Sequence, residues 1–139
     1  MQEEILKNKL NLIATNLEKL ARNFPETFEE FQKSDLILSA SERYFQLIVD
    51  TIIDCNQILI EENNLPVSDT YFNTFVILSK TSIFRDGLLD QLSNCVGTRN
   101  AIVHRYENIQ LKREYEDIKK YIPLFKKYLK IIINKIQLS

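Results

Sequence analysis

Between Tyr115 and Ile136 the apolar side chains fall at Tyr115, Ile118, Ile122, Phe125, Leu129, Ile132 and Ile136, in steps of three, four, three, four, three and four. Only a helix keeps such positions on one side, and a stripe this long is the seam of an antiparallel bundle. The spacing predicts a helix over about 111–138, kinked near Lys119 by Pro123. Two glycines and three prolines leave few places where a helix must stop. No segment alternates as a strand does. The fold class is therefore all-α: a four- to five-helix up-down bundle, and 139 residues make it a single domain, 1–139.

The rest of the chain supplies partners for that seam. Leu6, Leu10, Ile13, Leu17 and Leu20 form one stripe over 4–22, stopped at Asn23-Phe24-Pro25. A short helix over 26–32 turns Phe28 and Phe31 inward, with Phe24 beside them. Ser34 or Asp35 caps a helix over 35–62 that is apolar on most sides. Such a helix is central or meets a second chain. After the Asn63-Asn64-Leu65-Pro66 turn, Ser68 or Asp69 caps a helix over 69–80, and Asp86 caps another over 86–106.

Composition removes several classes of function. Formal net charge is −1, so no global field draws the chain to nucleic acid or membrane. No apolar run is long enough to span a bilayer, and the acidic Met1-Gln2-Glu3-Glu4 start does not read as a signal peptide, so the expected location is cytoplasmic. Cys55 and Cys95 sit in apolar helical patterns and read as buried reduced thiols. With one histidine and two scattered cysteines there is no standard metal set, and no nucleotide-loop, serine-hydrolase, zinc-protease or dinucleotide fingerprint occurs, so no cofactor is expected. Lys119, Lys120, Lys126, Lys127, Lys130 and Lys135 follow Ile118 with no acid among them. They read as a solvated helix face, or as an electrostatic approach for RNA.

Chemical capability gathers at Gly97-Thr98-Arg99-Asn100-Ala101-Ile102-Val103-His104-Arg105-Tyr106, which holds the only histidine. On a helix Asn100 and His104 share a face, while Arg99 lies roughly 140° from His104. Those two heads meet only round the helix or across two chains. A lone histidine on a helix is more often structural than catalytic. However, an arginine beside Ala101, Ile102 and Val103 needs an anionic partner. Glu107 is the nearest acid in sequence, and a phosphate suits a guanidinium as well. A glycine at 97, inside a helix, suggests a close approach to the backbone. Arg43 and Asp54 on the central helix read as a structural ion pair or as a rim of the site.

Arg99-x4-His104-Arg105-Tyr106 resembles the R-x4-H-x-Y motif of the HepT toxins of the HEPN superfamily. Gly97-Thr98-Arg99-Asn100 resembles the family's G-x-R-N lead-in, and Glu42-Arg43 with Gln46 and Asp54 its central-helix pattern. Thr98 departs from the larger apolar residue common there, and Arg105 fills a variable position. The resemblance covers essentially the whole chain. It implies a HEPN bundle that forms a homodimer with both motifs facing one cleft. It also implies a metal-independent endoribonuclease with Arg99 and His104 catalytic and Asn100 and Tyr106 supporting. An MntA-like nucleotidyltransferase antitoxin would then silence the toxin by transferring AMP to Tyr106.

The residue chemistry fits that implication. RNA carries its own nucleophile, the 2′-hydroxyl, and needs a base, an acid and charge stabilisation. Imidazole can serve as acid or base, and a fixed guanidinium stabilises the phosphorane. A second reading is a HEPN module that binds nucleotide or RNA beside a nucleotidyltransferase without cutting. A third is a purely structural dimer. The intact Arg99/His104 pair favours the nuclease, because a module that does not cut has no need of a general base.

Overall fold

The computed structural model describes residues 2–104 and 110–138. Among them are seven helices: α1 (Gln2–Asn23), α2 (Phe28–Lys33), α3 (Asp35–Glu62), α4 (Tyr71–Ser79), α5 (Leu88–Leu92), α6 (Cys95–His104) and α7 (Leu111–Leu138). No strand occurs among the described residues. Side-chain caps set several helix starts. Thr27 accepts from the Glu30 amide at 3.3 Å and Ser34 from the Ile37 amide at 3.2 Å. At α4 the cap is Thr70, which accepts from the Asn73 amide at 3.0 Å; the expected Ser68 instead donates to the Thr70 carbonyl at 2.6 Å.

α3 is the central helix. Phe45, Ile48, Val49, Ile52, Cys55 and Leu59 on it are fully buried, and α1, α2, α4 and α6 pack around it. Its apolar girth is thus accounted for within one chain. α1 lies antiparallel to α3, since Gln2 and Leu6 stand beside Leu59 and Glu62, and Lys9 grips Asp54 at 3.0 Å. α7 runs in the same direction as α3: Phe45 packs on Tyr121 and Phe125, and Tyr128 reaches Ile52 and Asn56 further along. Helices α4 to α6 make the return between them.

Two polar features key the apolar core. Tyr115 at the start of α7 donates to the Pro25 carbonyl at 2.9 Å and sits among the rings of Phe24, Phe28 and Phe31. Deeper in, Tyr128 donates to Asn56 Oδ1 at 2.6 Å, and Asn56 Nδ2 donates to Thr74 Oγ1 at 3.1 Å. All three residues are fully buried, so this chain ties α3, α4 and α7 in one register.

The expected 86–106 helix is two helices. Leu88, Leu89, Leu92, Cys95 and Val96 keep helical spacing and are buried, yet the backbone turns at Ser93-Asn94. Ser93 Oγ donates back to the Asp90 carbonyl at 3.0 Å, and the Gly97 amide bonds the Asn94 carbonyl at 3.1 Å, a tight 3₁₀-type step. Nor does Asp86 cap α5. Asp86 and Gly87 take φ of 60° and 67°, a left-handed pair that turns the chain back onto the core, and Gly87 is an N-cap without a side-chain bond. α7 continues through Pro123 as one helix.

Candidate functional site

Arg99 points from α6 onto α3. Its Nε donates to Asp50 Oδ1 at 2.7 Å, and its Nη1 donates to Asn100 Oδ1 at 3.0 Å. The Arg99 side chain is only 18% exposed and that of Asp50 37%. The anionic partner demanded by an arginine in apolar surroundings is therefore Asp50, 49 residues away in sequence. A charge-assisted bond on Nε fixes the plane of the guanidinium. Asn100 uses its amide oxygen to hold that plane from the side. His104 stands exposed at the C-terminal end of α6. Tyr106, with Arg105 and Glu107, lies outside the described residues.

Other expected residues have structural roles. Asp54 pairs with Lys9 of α1, and Arg43 donates to Gln46 Oε1 at 3.4 Å on the exposed side of α3. Cys55 and Cys95 are free thiols in the core. Burial pushes Cys55 up to about 12, helped by neighbouring Asp54, and pushes Cys95 higher still. Neither can act as a thiolate near neutrality. Among the described residues no group of three or more His, Cys, Asp or Glu is placed to hold a metal, and no helix is long and apolar enough to cross a membrane.

A cleft of about 600 Å³ opens between α6 and α7. Gly97, Thr98 and Ala101 line one wall, and Arg113, Asp117 and Lys120 line the other. Gly97 meets no close approach: a Cβ there would touch nothing within 4 Å. Its small size instead keeps the wall low. Thr98 Oγ1 donates to Asp117 Oδ2 at 3.2 Å, and Arg113 Nε stands 3.9 Å from the same oxygen. Burial, with Cys95 and Asp117 nearby, pushes the Tyr121 phenol at the cleft floor up to about 12 and keeps it neutral.

The model of the family described as "Ribonuclease HepT-like" matches residues 13–132. The chain belongs to the HepT-like ribonuclease family. A "tRNA nuclease HepT" from Aphanizomenon flos-aquae (strain 2012/KM1/D3) is 31% identical over 110 residues, covering 76% of this chain and 71% of that protein. The HepT-like fold recurs in solved structures. The tri-AMPylated Shewanella oneidensis HEPN toxin, in complex with MNT antitoxin, superposes with a TM-score of 0.84 at 18% identity, over 94% of this chain and 97% of its own. YutE, a cytosolic protein of unknown function from Bacillus subtilis, does so at 0.79 and 18%, over 97% and 90%. At that identity these two establish the bundle alone.

The sequence singles out part of this arrangement of side chains. Arg99, Asn100 and His104 all lie on α6, and the first two bond each other. Asp50 was missed, although an acid between Val49 and Thr51 in a mid-helix apolar stretch is the complement of an arginine beside Ala101 and Ile102. The wall formed by Arg113, Asp117 and Lys120 was missed as well; only its spacing along one side of α7 hinted at it.

Proposed function

We propose that this chain is the toxin of a toxin–antitoxin pair, a single-domain cytoplasmic endoribonuclease that cuts RNA without a metal. The observation that carries the reading is the Arg99 guanidinium, held by Asp50, on the same helix as an exposed His104 in a HepT-like ribonuclease. In this mechanism the 2′-hydroxyl attacks the adjacent phosphorus, giving its proton to one His104. The bond to the 5′-oxygen breaks, and a second His104 protonates that oxygen. Arg99 balances the charge on the phosphorane oxygens. The products are a 2′,3′-cyclic phosphate and a 5′-hydroxyl. Asp50 acts as a positioning residue for Arg99, and Asn100 holds the guanidinium from the side.

Two histidines require two chains. Support for a homodimer comes from apolar side chains left exposed on the helices that carry Lys9, Asp50 and Arg99. Leu36, 79% exposed, lies on the same side of α3 as Asp50 but about 21 Å N-terminal to it along the axis, and Val103, 37% exposed, stands one turn beyond Arg99. Leu12 and Ile5, 47% and 50% exposed, flank Lys9, which grips Asp54 of the same α3 face. Sedimentation at micromolar concentration should give a dimer, and Leu36→Glu with Leu12→Glu should weaken it. A compact monomer in the unmodified chain would remove the shared cleft.

The partner in this reading is a nucleotidyltransferase antitoxin that moves AMP to Tyr106. The Shewanella toxin, AMPylated and bound to an MNT antitoxin, supports that part. The adduct would add bulk and negative charge two residues along the chain from His104 and repel RNA. Co-expression with the partner followed by mass spectrometry should put AMP on the peptide that carries Tyr106, and an adduct confined to another tyrosine would overturn it. The cleavage step itself is tested with a tRNA substrate in EDTA. Cutting should persist, leave cyclic phosphate ends and stop when the nucleotide 5′ to the cut is 2′-deoxy. Cutting that needs a divalent ion, or that ignores the 2′-deoxy substitution, would refute the chemistry.

A further inference from the structure

The cleft between α6 and α7 has no part in the proposed cleavage chemistry, and polar and charged side chains line most of it, the carboxylates of Asp117 and Glu114 among them. Its volume of about 600 Å³ falls in the range that holds small ligands. Gly97 leaves one wall open, with nothing within 4 Å of where its Cβ would be. Asp117 reaches in from the other wall with 23% of its side chain exposed. Its carboxylate is held by Thr98 Oγ1, which donates to Oδ2, and Arg113 Nε stands 3.9 Å from the same oxygen. An ionised carboxylate has about four lone-pair sites, and the single hydrogen bond from Thr98 to Oδ2 leaves acceptor capacity on both oxygens. Lys120 also lines the cleft, its ammonium 4.7 Å from the Tyr121 ring centre.

The cleft also has a direction. Gly97, Ala101 and His104 are spaced four and three along α6 and share one side of it. From Ala101 to His104 is roughly 4.5 Å along the helix axis. An RNA strand passing His104 would therefore lay a neighbouring nucleotide over the cleft.

The geometry points to a base-binding subsite in this cleft, specific for guanine in the RNA substrate; this deepens the ribonuclease reading and rests on it. A splayed single-stranded base is read on its Watson–Crick edge. Guanine presents two adjacent N–H donors there, N1 and N2, which match one carboxylate bidentately. Adenine and cytosine each present one amino group next to a ring acceptor, which a carboxylate repels. Uracil presents one N–H between two carbonyls. Arg113 and Lys120 supply cations for guanine O6 and the adjoining phosphate.

The test is a titration of the full-length, isotope-labelled protein with GMP, AMP, CMP and UMP, read by the amide signals of Gly97 and Thr98. GMP should shift both signals and bind about tenfold or more tighter than the other three. Asp117→Asn, nearly isosteric, should abolish that preference. Gly97→Leu, whose Cβ enters open space, should block all four by filling the cleft from the opposite wall, and the dispersed amide spectrum of each variant checks that it is folded. Equal binding of the four nucleotides, no binding of GMP, or an unchanged preference in Asp117→Asn would each overturn the subsite. Cleavage is not part of the readout. A protein that prefers GMP but cuts no RNA would overturn the ribonuclease reading alone, and one that cuts RNA with no preference for GMP would overturn the subsite alone.

Discussion

Replacing Asp50 by alanine should cost both stability and cleavage, for one reason. Arg99 Nε donates to Asp50 Oδ1 at 2.7 Å, and the Arg99 side chain is only 18% exposed. A hydrogen bond to a charged group contributes about 1.5–3 kcal/mol when buried. Asp50 itself is 37% exposed, so water screens the pair and will partly solvate the orphaned arginine. We therefore set the loss at about 1–2 kcal/mol. For 139 residues each kcal/mol corresponds to about 3 °C of Tm, so thermal unfolding should fall by about 3–6 °C. Loss of a charge-stabilising donor such as Arg99 costs about 10²–10³ in rate. Asp50→Ala leaves the donor present but loose and should cost roughly tenfold to a hundredfold. Because Asp50 acts through Arg99, the double variant Asp50→Ala/Arg99→Ala should cut no more slowly than Arg99→Ala alone. Calorimetry and single-turnover cleavage on the four proteins complete the cycle. Additive losses in rate, or an unchanged Tm in Asp50→Ala, would refute the positioning role.

Further predictions come from elsewhere in the fold. Gly97→Ala puts a methyl into open space within α6 and should stabilise by about 1 kcal/mol, raising Tm by about 3 °C; a fall would mean that the wall is not open. Tyr128→Phe strands the fully buried Asn56 Oδ1 and should cost about 1–3 kcal/mol in denaturant unfolding; a cost near zero would show that the Tyr128–Asn56–Thr74 chain is dispensable. Stability should decline at alkaline pH. Cys55 is raised from 9.0 to about 12 and Tyr121 from 10.0 to about 12. A folded-state pKa above the unfolded value gives stability that is full below pH ~9 and is lost as pH rises toward ~12. Urea unfolding at stepped pH should show that loss, and alkylating reagents should reach both thiols only after unfolding.

The long helices were legible because their apolar spacing is a local property: 35–62 and 111–138 match α3 and α7. Apolar spacing hid the break at Ser93-Asn94, where Leu92, Cys95 and Val96 keep helical rhythm across a turn made by the Ser93 hydroxyl. Caps were legible only to within a residue or two, since Ser68, Asp69 and Thr70 are all competent and the path of the chain selects Thr70. Arg99 and His104 stood out by chemistry. Their surroundings did not, because Asp50 and Asp117 lie 49 and 19 residues from the α6 side chains they bond. Pairing across that distance is decided by packing α3, α6 and α7 together, and no short-range pattern carries it.

The most direct test of the account is the rate at which folded His104→Ala protein cuts tRNA in EDTA under single-turnover conditions, with dimer mass and helicity checked on the same sample. His104 is exposed at the end of α6, outside the buried core, so its removal should leave the fold intact. The cleavage mechanism predicts a loss of ~10²–10⁴ in rate, the range typical of a positioned acid–base group. Cleavage at the unmodified rate by a well-folded His104→Ala dimer would contradict it.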